Sequence, residues 1–175
     1  MENPTFEIVK ASILDVDAIV HISRTTFYET FAKDNSEENM QLYLNENVNL
    51  KKLTEEIQHP HSEFYLAKID DEVIGYLKIN FETAQTELHD KQSLEIERIY
   101  VTKEYYGKNI GKLLFEKAVA IARDHQLKYI WLGVWEENLR AISFYEKNGF
   151  VVFDKHAFVL GTDTQMDLMM KLELK

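Results

Sequence analysis

Two glutamates, Glu95 and Glu97, alternate along a mainly apolar segment and are the residues best suited to acid–base chemistry. Partial desolvation and mutual repulsion would raise the pKa of at least one of these carboxyl groups, toward the range of a general base. The alternative is that both form salt bridges or line a solvated sheet edge. Strand alternation predicts that Glu95 and Glu97 share one face with Ile99, while the other face carries Leu94, Ile96, Arg98 and Tyr100.

A loop with the sequence Tyr-Gly-Lys-Asn-Ile-Gly follows at residues 106–111, between a predicted strand and a predicted helix. Glycine and asparagine tolerate the positive φ angles that aim successive backbone N–H groups at one point. A helix N-terminus also favours a bound anion. The sequence therefore predicts a site for a phosphorylated ligand beside an ionisable side chain, with an ordinary tight turn as the alternative. The loop matches neither a Walker P-loop nor a dinucleotide-binding fingerprint.

The composition limits the classes of protein to be considered. We expect a single domain over residues 1–175, without disulfides or thiolate sites because the chain contains no cysteine. The net charge of −10 argues against a nucleic-acid partner. The histidines show no metal-ligand spacing, so no metal is expected. A polar N-terminus and the absence of long apolar runs predict a cytoplasmic protein with no membrane partner.

The elements that must position these residues follow from hydrophobic periodicity and from helix start and stop signals. Strands are predicted at residues 5–10, 63–69, 72–81, 94–101, 128–135, 150–160 and 165–172. Helices are predicted at residues 15–31, 36–44, 49–58, 111–125 and 138–148, with Asp15 as the N-cap of the first. This order predicts an α/β fold with a mixed sheet and helices on both faces.

The segment from Trp135 to Phe150 combines a strand, Asn138, a helix carrying Phe144-Tyr145, and then Gly149. Placed after the strand, loop and helix described above, it resembles the GNAT superfamily of N-acetyltransferases, most closely the bacterial polyamine N-acetyltransferases of the PaiA type. The resemblance is carried by the segments LEIERIYV, NIGKLL, WLGVWEEN and FYEKNGF, and it is strong from Glu63 onward. It implies a GNAT-like, mostly antiparallel sheet of six to seven strands.

The resemblance also implies that acetyl-CoA is the co-substrate and that the loop binds its pyrophosphate. The implied contacts are the loop residues Tyr106, Gly107, Lys108, Asn109, Ile110, Gly111 and Lys112, the strand residues Ile99, Tyr100 and Val101, and also Asn138 and Lys147. Two positions depart from the family pattern, which has Arg or Gln at Tyr106 and Gly at Asn109. We expect Asn109 to adopt the left-handed conformation, and Lys108 or Lys112 to replace the missing charge.

For catalysis, the resemblance assigns Glu97 as the base, with Glu95 second or binding a cationic substrate, and Tyr145 as the acid that protonates the CoA thiolate. The alternative for Tyr145 is an ordinary core tyrosine beside Phe144. Tyr28 is a candidate for the acceptor pocket or for the core. The implied acceptor is a small amine, first of all spermidine or spermine. A protein or antibiotic amine, or a non-catalytic acyl-CoA-binding module, are the alternatives, and a homodimer is compatible with the family.

Overall fold

A seven-stranded sheet forms the centre of the computed structural model, which describes residues 5–175. The first four residues of the predicted domain lie outside the described residues. The strands are β1 (Phe6–Lys10), β2 (Ser62–Ile69), β3 (Glu72–Asn80), β4 (Ser93–Val101), β5 (Tyr129–Trp135), β6 (Val151–Leu160) and β7 (Asp163–Glu173). They lie in the order β1-β2-β3-β4-β5-β7-β6, and every neighbouring pair is antiparallel except β4 and β5. The prediction of a mostly antiparallel sheet is confirmed.

Five helices flank the sheet: α1 (Val16–Phe31), α2 (Glu37–Asn47), α3 (Leu50–Gln58), α4 (Ile110–Asp124) and α5 (Leu139–Lys147). Asn138 caps α5, since its side chain accepts a hydrogen bond from the N–H of Ala141. Asp15 is the N-cap residue of α1, as predicted, but its side chain makes no cap hydrogen bond to this helix. The Asp15 carboxylate instead accepts a hydrogen bond from the N–H of Ser12. This bond is part of the capping box of a short 3₁₀ helix, Ile13–Asp15, which directly precedes α1. No helix among residues 5–175 is both long and apolar enough to cross a bilayer.

The hydrophobic residues form two cores, one on each face of the sheet. Alternation along β2 shows the division, because Tyr65 and Ala67 pack in the core that contains α4 and α5, whereas Phe64 and Leu66 pack in the core that contains α1, α2 and α3. The prediction of helices on both faces is therefore confirmed.

Strand β4 contains a bulge at Glu97. In the pairing of β4 with β3, Lys78 lies opposite Arg98, and the next residue, Ile79, lies opposite Ile96. Glu97, between Ile96 and Arg98, therefore has no partner on β3 and is the extra residue of the bulge. An extra residue resets the alternation of side chains. Ile99 therefore packs in the same core as Leu94 and Ile96. Ile99 therefore lies on the opposite face from the predicted one, and so does Tyr100, which packs in the other core. Glu95 and Glu97 do share a face, as predicted, since both accept a hydrogen bond from Asn80.

Strands β4 and β5 pair over a short length only. Their parallel register covers Ser93–Glu95 against Tyr129–Trp131. Beyond these pairs, β4 continues to Val101 and β5 to Trp135 with no pairing between them. The result is a gap in the middle of the sheet, bordered by backbone groups that have no ladder partner on that side.

Candidate active site

A cavity of about 580 Å³ occupies this gap. On one face of the sheet its wall includes Ile110 of α4 and Tyr145 of α5, and on the other it includes Phe27 of α1 and Tyr43 of α2. Because the two cores lie on opposite faces, the cavity passes through the sheet. It can therefore admit one ligand from each side and bring the two together at the gap.

The loop at one end of the cavity has the shape that the sequence predicts. Asn109 is left-handed, with φ 64° and ψ 10°, and Gly107 has φ 76°. The backbone N–H groups of residues 107–111 have no hydrogen-bond acceptor among residues 5–175. Five successive free donors at the N-terminus of the 15-residue helix α4 form a site suited to an anion.

A cationic side chain from another element lies against the ring of Tyr106. The guanidinium carbon of Arg140, on α5, lies 3.7 Å from the centroid of the Tyr106 ring. Arg140 has no carboxylate within 4.0 Å among the described residues. Lys108, one of the two predicted replacements, lies over the Tyr105 ring and outside the cavity wall, whereas Lys112 is part of that wall.

Tyr145 is buried in the wall on the α5 face, at 8% exposure. Its ring packs edge-on against Phe144 and Phe150, as expected of a core tyrosine. Its hydroxyl makes no hydrogen bond to any other described residue. Burial raises the pKa of Tyr145, so the phenol keeps its proton at neutral pH. Tyr145 therefore packs in the core and is also part of the cavity wall, with a hydroxyl that has no partner among the described residues.

Glu97 is held in a compact ionic network. Its carboxylate contacts the ammonium of Lys78 and lies 3.3 Å from Nη2 of Arg98, and both cations also contact Glu56 on α3. Burial favours the neutral acid, but the charges of Arg98 and Lys78 and the hydrogen bonds from Lys78 and Asn80 outweigh it. They lower the pKa of Glu97 to about 2. A carboxylate this acidic, with both oxygens engaged, is a weak proton acceptor.

Glu95, on the same strand, is 2% exposed. Burial and the nearby charge of Glu97 raise its pKa against the opposing hydrogen bonds from Asn80 and Thr86. The expectation that one carboxyl of the pair has a raised pKa is confirmed for Glu95. The two glutamates share one donor, because Nδ2 of Asn80 lies 3.0 Å from Oε2 of Glu95 and 2.7 Å from Oε2 of Glu97.

The wall on the α1/α2 face combines acidic and aromatic side chains that the sequence did not single out as site residues. Besides Glu95 and Glu97, it includes Thr86, Glu87, Trp135, His156, Phe158 and Asp167. The sequence does contain a signal that brings two of these residues, His156 and Asp167, together. A hairpin turning at residues 161–162 places residue 156 opposite residue 167, which is the observed register.

Most of the predicted site residues line the cavity. Three do not: Tyr28, Lys108 and Lys147. Tyr28 is exposed and donates a hydrogen bond to Glu37, because on α1 it is Phe27 and Phe31 that face the core. Lys147 is exposed in the last turn of α5. No group of three or more potential metal ligands that could hold an ion occurs within residues 5–175.

Residues 17–150 match the model of the Acetyltransferase (GNAT) family. The chain belongs to this family. A relative from Lactobacillus delbrueckii subsp. lactis, named "Uncharacterized N-acetyltransferase in pepI 3'region", is 45% identical over 96% of this chain and 97% of its own length. The spermidine N(1)-acetyltransferase of Thermoplasma acidophilum is 31% identical over 86% of this chain and 91% of its own length.

Among solved structures, the PaiA N-acetyltransferase from Thermoplasma acidophilum, in complex with coenzyme A, superposes with a TM-score of 0.81. It is 28% identical in sequence, and the match covers 97% of this chain and 99% of that chain. These comparisons confirm the predicted GNAT fold and the prediction that the protein is an acetyltransferase.

Proposed function

We propose that this GNAT protein transfers the acetyl group of acetyl-CoA to a primary amine of a small cationic acceptor, with spermidine or spermine as the first choice. One observation carries the proposal. A single cavity through the sheet has free main-chain donors for an anion at one end and a wall of carboxylates for a cation at the other. The two ends suit two ligands of opposite charge.

The end near α4 fits CoA. The N–H groups of residues 107–111 would hold the pyrophosphate, and Lys112 and Arg140 would add positive charge to the same region. Asn138 lies at the start of α5 in the same wall, where it would meet the pantetheine arm. Acetyl-CoA supplies the activated acetyl group as a thioester. The CoA complex of the PaiA relative, which has the same fold, supports this choice.

The end on the α1/α2 face fits a polyamine. Glu87, Glu95 and Asp167 place carboxyl groups in its wall, and the rings of Phe27, Tyr43 and Trp135 can cover the methylene segments between ammonium groups. The name of the Thermoplasma acidophilum relative, a spermidine N(1)-acetyltransferase, supports the same class of acceptor.

Tyr145 is the proposed general acid, because its free and protonated hydroxyl lies in the cavity wall and can protonate the departing thiolate. Glu97, the base implied by the family resemblance, has a lowered pKa and engaged oxygens. Its better-supported role is structural: Glu97 holds the side chain of Asn80 in place by a hydrogen bond, and Asn80 in turn holds Glu95 beside the gap in the sheet. Glu95 then contributes negative charge near the acceptor.

The test is release of CoA thiol with a panel of spermidine, spermine, a diamine, an alkyl monoamine, free lysine and a short peptide. We expect kcat/KM for spermidine to exceed that for a monoamine of matched length at least about tenfold, because each added ammonium meets a carboxylate. Glu87→Gln should raise KM for spermidine by a larger factor than KM for the monoamine, because spermidine carries additional ammonium groups.

A matched control is Glu116→Gln, which removes a carboxylate from the exposed face of α4 outside the cavity wall. Preference for the peptide over every polyamine would contradict the proposed acceptor. CoA binding without thiol release on any amine would contradict the enzymatic function and favour a binding module.

A further inference from the structure

Both carboxylate oxygens of each strand glutamate are already engaged by hydrogen-bond donors or cations. In Glu95, Oε1 accepts from the hydroxyl of Thr86, and Oε2 accepts from Asn80 and from the N–H of Thr86. In Glu97, Oε1 faces Arg98, while Oε2 is bound by Lys78 and Asn80. A group that takes a proton from the acceptor ammonium needs a free lone pair within reach of it.

His156 offers such a lone pair on the face of the sheet that also carries Glu95 and Glu97. His156 of β6 and Asp167 of β7 are direct cross-strand partners, and both line the cavity. Their closest atoms, Nε2 of His156 and Oδ2 of Asp167, are 3.5 Å apart. Nδ1 of His156 and Oδ1 of Asp167 are buried and have no hydrogen-bond partner among the described residues. Buried polar atoms without partners are rare in folded proteins, so these two point to a ligand.

The position of His156 relative to the gap is set by Gly133 of β5. A Cβ at residue 133 would come within 3.2 Å of Cε1 of His156, so the ring lies against the backbone of the strand that borders the gap. Asp167 is opposite Trp135, at the end of the same strand. The imidazole therefore lies beside the place where the two ligands meet.

The charges around the ring favour one tautomer. Nε2 faces Asp167, whose side chain is 14% exposed, whereas the carboxylate near Nδ1, that of Glu87, is 43% exposed and is screened more by water. The less screened charge of Asp167 favours a proton on Nε2 and a lone pair on Nδ1. Nδ1 is 3.6 Å from Glu87 in the loop before β4. Glu136, after β5, adds negative charge near Asp167 and is itself 3.8 Å from Lys155 of β6. This acidic surrounding also attracts the ammonium that must lose its proton.

We propose that His156 is the group that deprotonates the acceptor amine, with Asp167 as the residue that positions its ring; this rests on the function proposed above. The ammonium passes one proton to Nδ1, leaving a neutral amine and an imidazolium paired with Asp167. The amine nitrogen forms the C–N bond to the acetyl carbon, and the C–S bond breaks. Tyr145 gives its proton to the thiolate and recovers one from the new amide nitrogen through solvent, while the imidazolium releases its proton to water.

Two variants test the assignment. We expect His156→Gln to lower kcat for spermidine about 100-fold and to remove the acid-side limb of the pH–rate profile, with an unchanged dissociation constant for CoA by calorimetry. Asp167→Asn should lower kcat about tenfold and shift that limb. His21→Gln, on the exposed side of α1, is the matched control and should behave as wild type. In His156→Ala, added imidazole should restore part of the rate.

A readout independent of turnover is ¹⁵N NMR of the His156 ring. We expect the Nε2–H tautomer in the free protein and a shift of Nδ1 when spermidine is added. Retention of more than half of kcat and of the acid-side limb in His156→Gln would overturn the role of His156, as would a Nδ1 resonance that spermidine does not move. Absence of thiol release by the wild-type protein on every amine would instead overturn the proposed function.

Discussion

The two ends of the cavity are built from different parts of the chain. The end that we call the main-chain end consists of residues 105–107 and 109–112 with Asn138 and Arg140 at the start of α5. The end that we call the side-chain end consists of Glu87, Glu95, His156 and Asp167 with the rings around them. The first offers backbone donors that are consecutive in sequence, whereas the second depends on side chains from β4, β6, β7 and one loop.

This difference explains what could be predicted from the sequence. Asn109 and Gly107 identify the main-chain end, because positive φ angles before a helix restrict the residue types within a few positions. The side-chain end depends on the bulge at Glu97, which is set by tertiary contacts, and on the approach of the β6–β7 hairpin to β4, which no local signal specifies. Alternation therefore placed Ile99 on the wrong face, and Arg140 was not recognised as a source of charge.

The largest effect on kcat is expected for Tyr145, at the junction of the main-chain end and the side-chain end. Tyr145→Phe removes only the hydroxyl, and we expect kcat to fall about 100-fold while the dissociation constant of CoA stays the same, because packing of the ring is retained. Thiol-release kinetics and calorimetry measure the two quantities. Tyr129→Phe, which removes a hydroxyl bonded to Asp90 outside the cavity, should leave kcat unchanged. Equal losses in both variants would rule out a specific role for Tyr145.

The ionic network under the side-chain end should contribute to stability in a pH-dependent way. The pKa of Glu97 is lowered, so its stabilising contribution is complete above the ordinary value of 4.5 and is lost as the pH falls toward 2. We expect Lys78→Met to cost about 3 kcal/mol at pH 7, because Lys78 is a buried partner of Glu97 and Glu56.

Urea denaturation at several pH values measures this loss, which should shrink between pH 5 and pH 3. Lys91→Met, at an exposed pair, is the control and should cost less than about 1 kcal/mol. A loss in Lys78→Met that is the same at pH 3 and pH 7 would contradict the assignment.

At the main-chain end, the backbone conformation should matter more than the side chain. Asn109→Gly should bind CoA within about twofold of wild type, since the Asn109 side chain makes no cap hydrogen bond and glycine adopts the same φ. Asn109→Val should weaken CoA binding about tenfold, because a β-branched residue is strained in the left-handed conformation. Calorimetry with CoA measures both. Tight binding by Asn109→Val would show that the loop conformation is not what binds the anion.

The smallest effect on CoA binding is expected for Arg140, whose guanidinium group lies over the Tyr106 ring. Arg140→Ala should weaken CoA binding about threefold to fivefold at low ionic strength, by removing one exposed charge and its contact with the Tyr106 ring. The difference should diminish as salt is added. Lys147→Ala, on the same helix but outside the cavity wall, is the matched control. An equal effect of both substitutions would mean that only the net charge of α5 matters.

The short pairing of β4 with β5 has a mechanical consequence. Three residue pairs join a four-stranded half of the sheet, β1 to β4, to a three-stranded half, β5 to β7. We expect such a joint to be less rigid than a full ladder of strand pairs, and a molecule that lies across the gap to tie the two halves together. Binding of the first ligand should therefore stiffen the whole sheet, slow amide hydrogen exchange in both halves, and reduce the entropy lost when the second ligand binds.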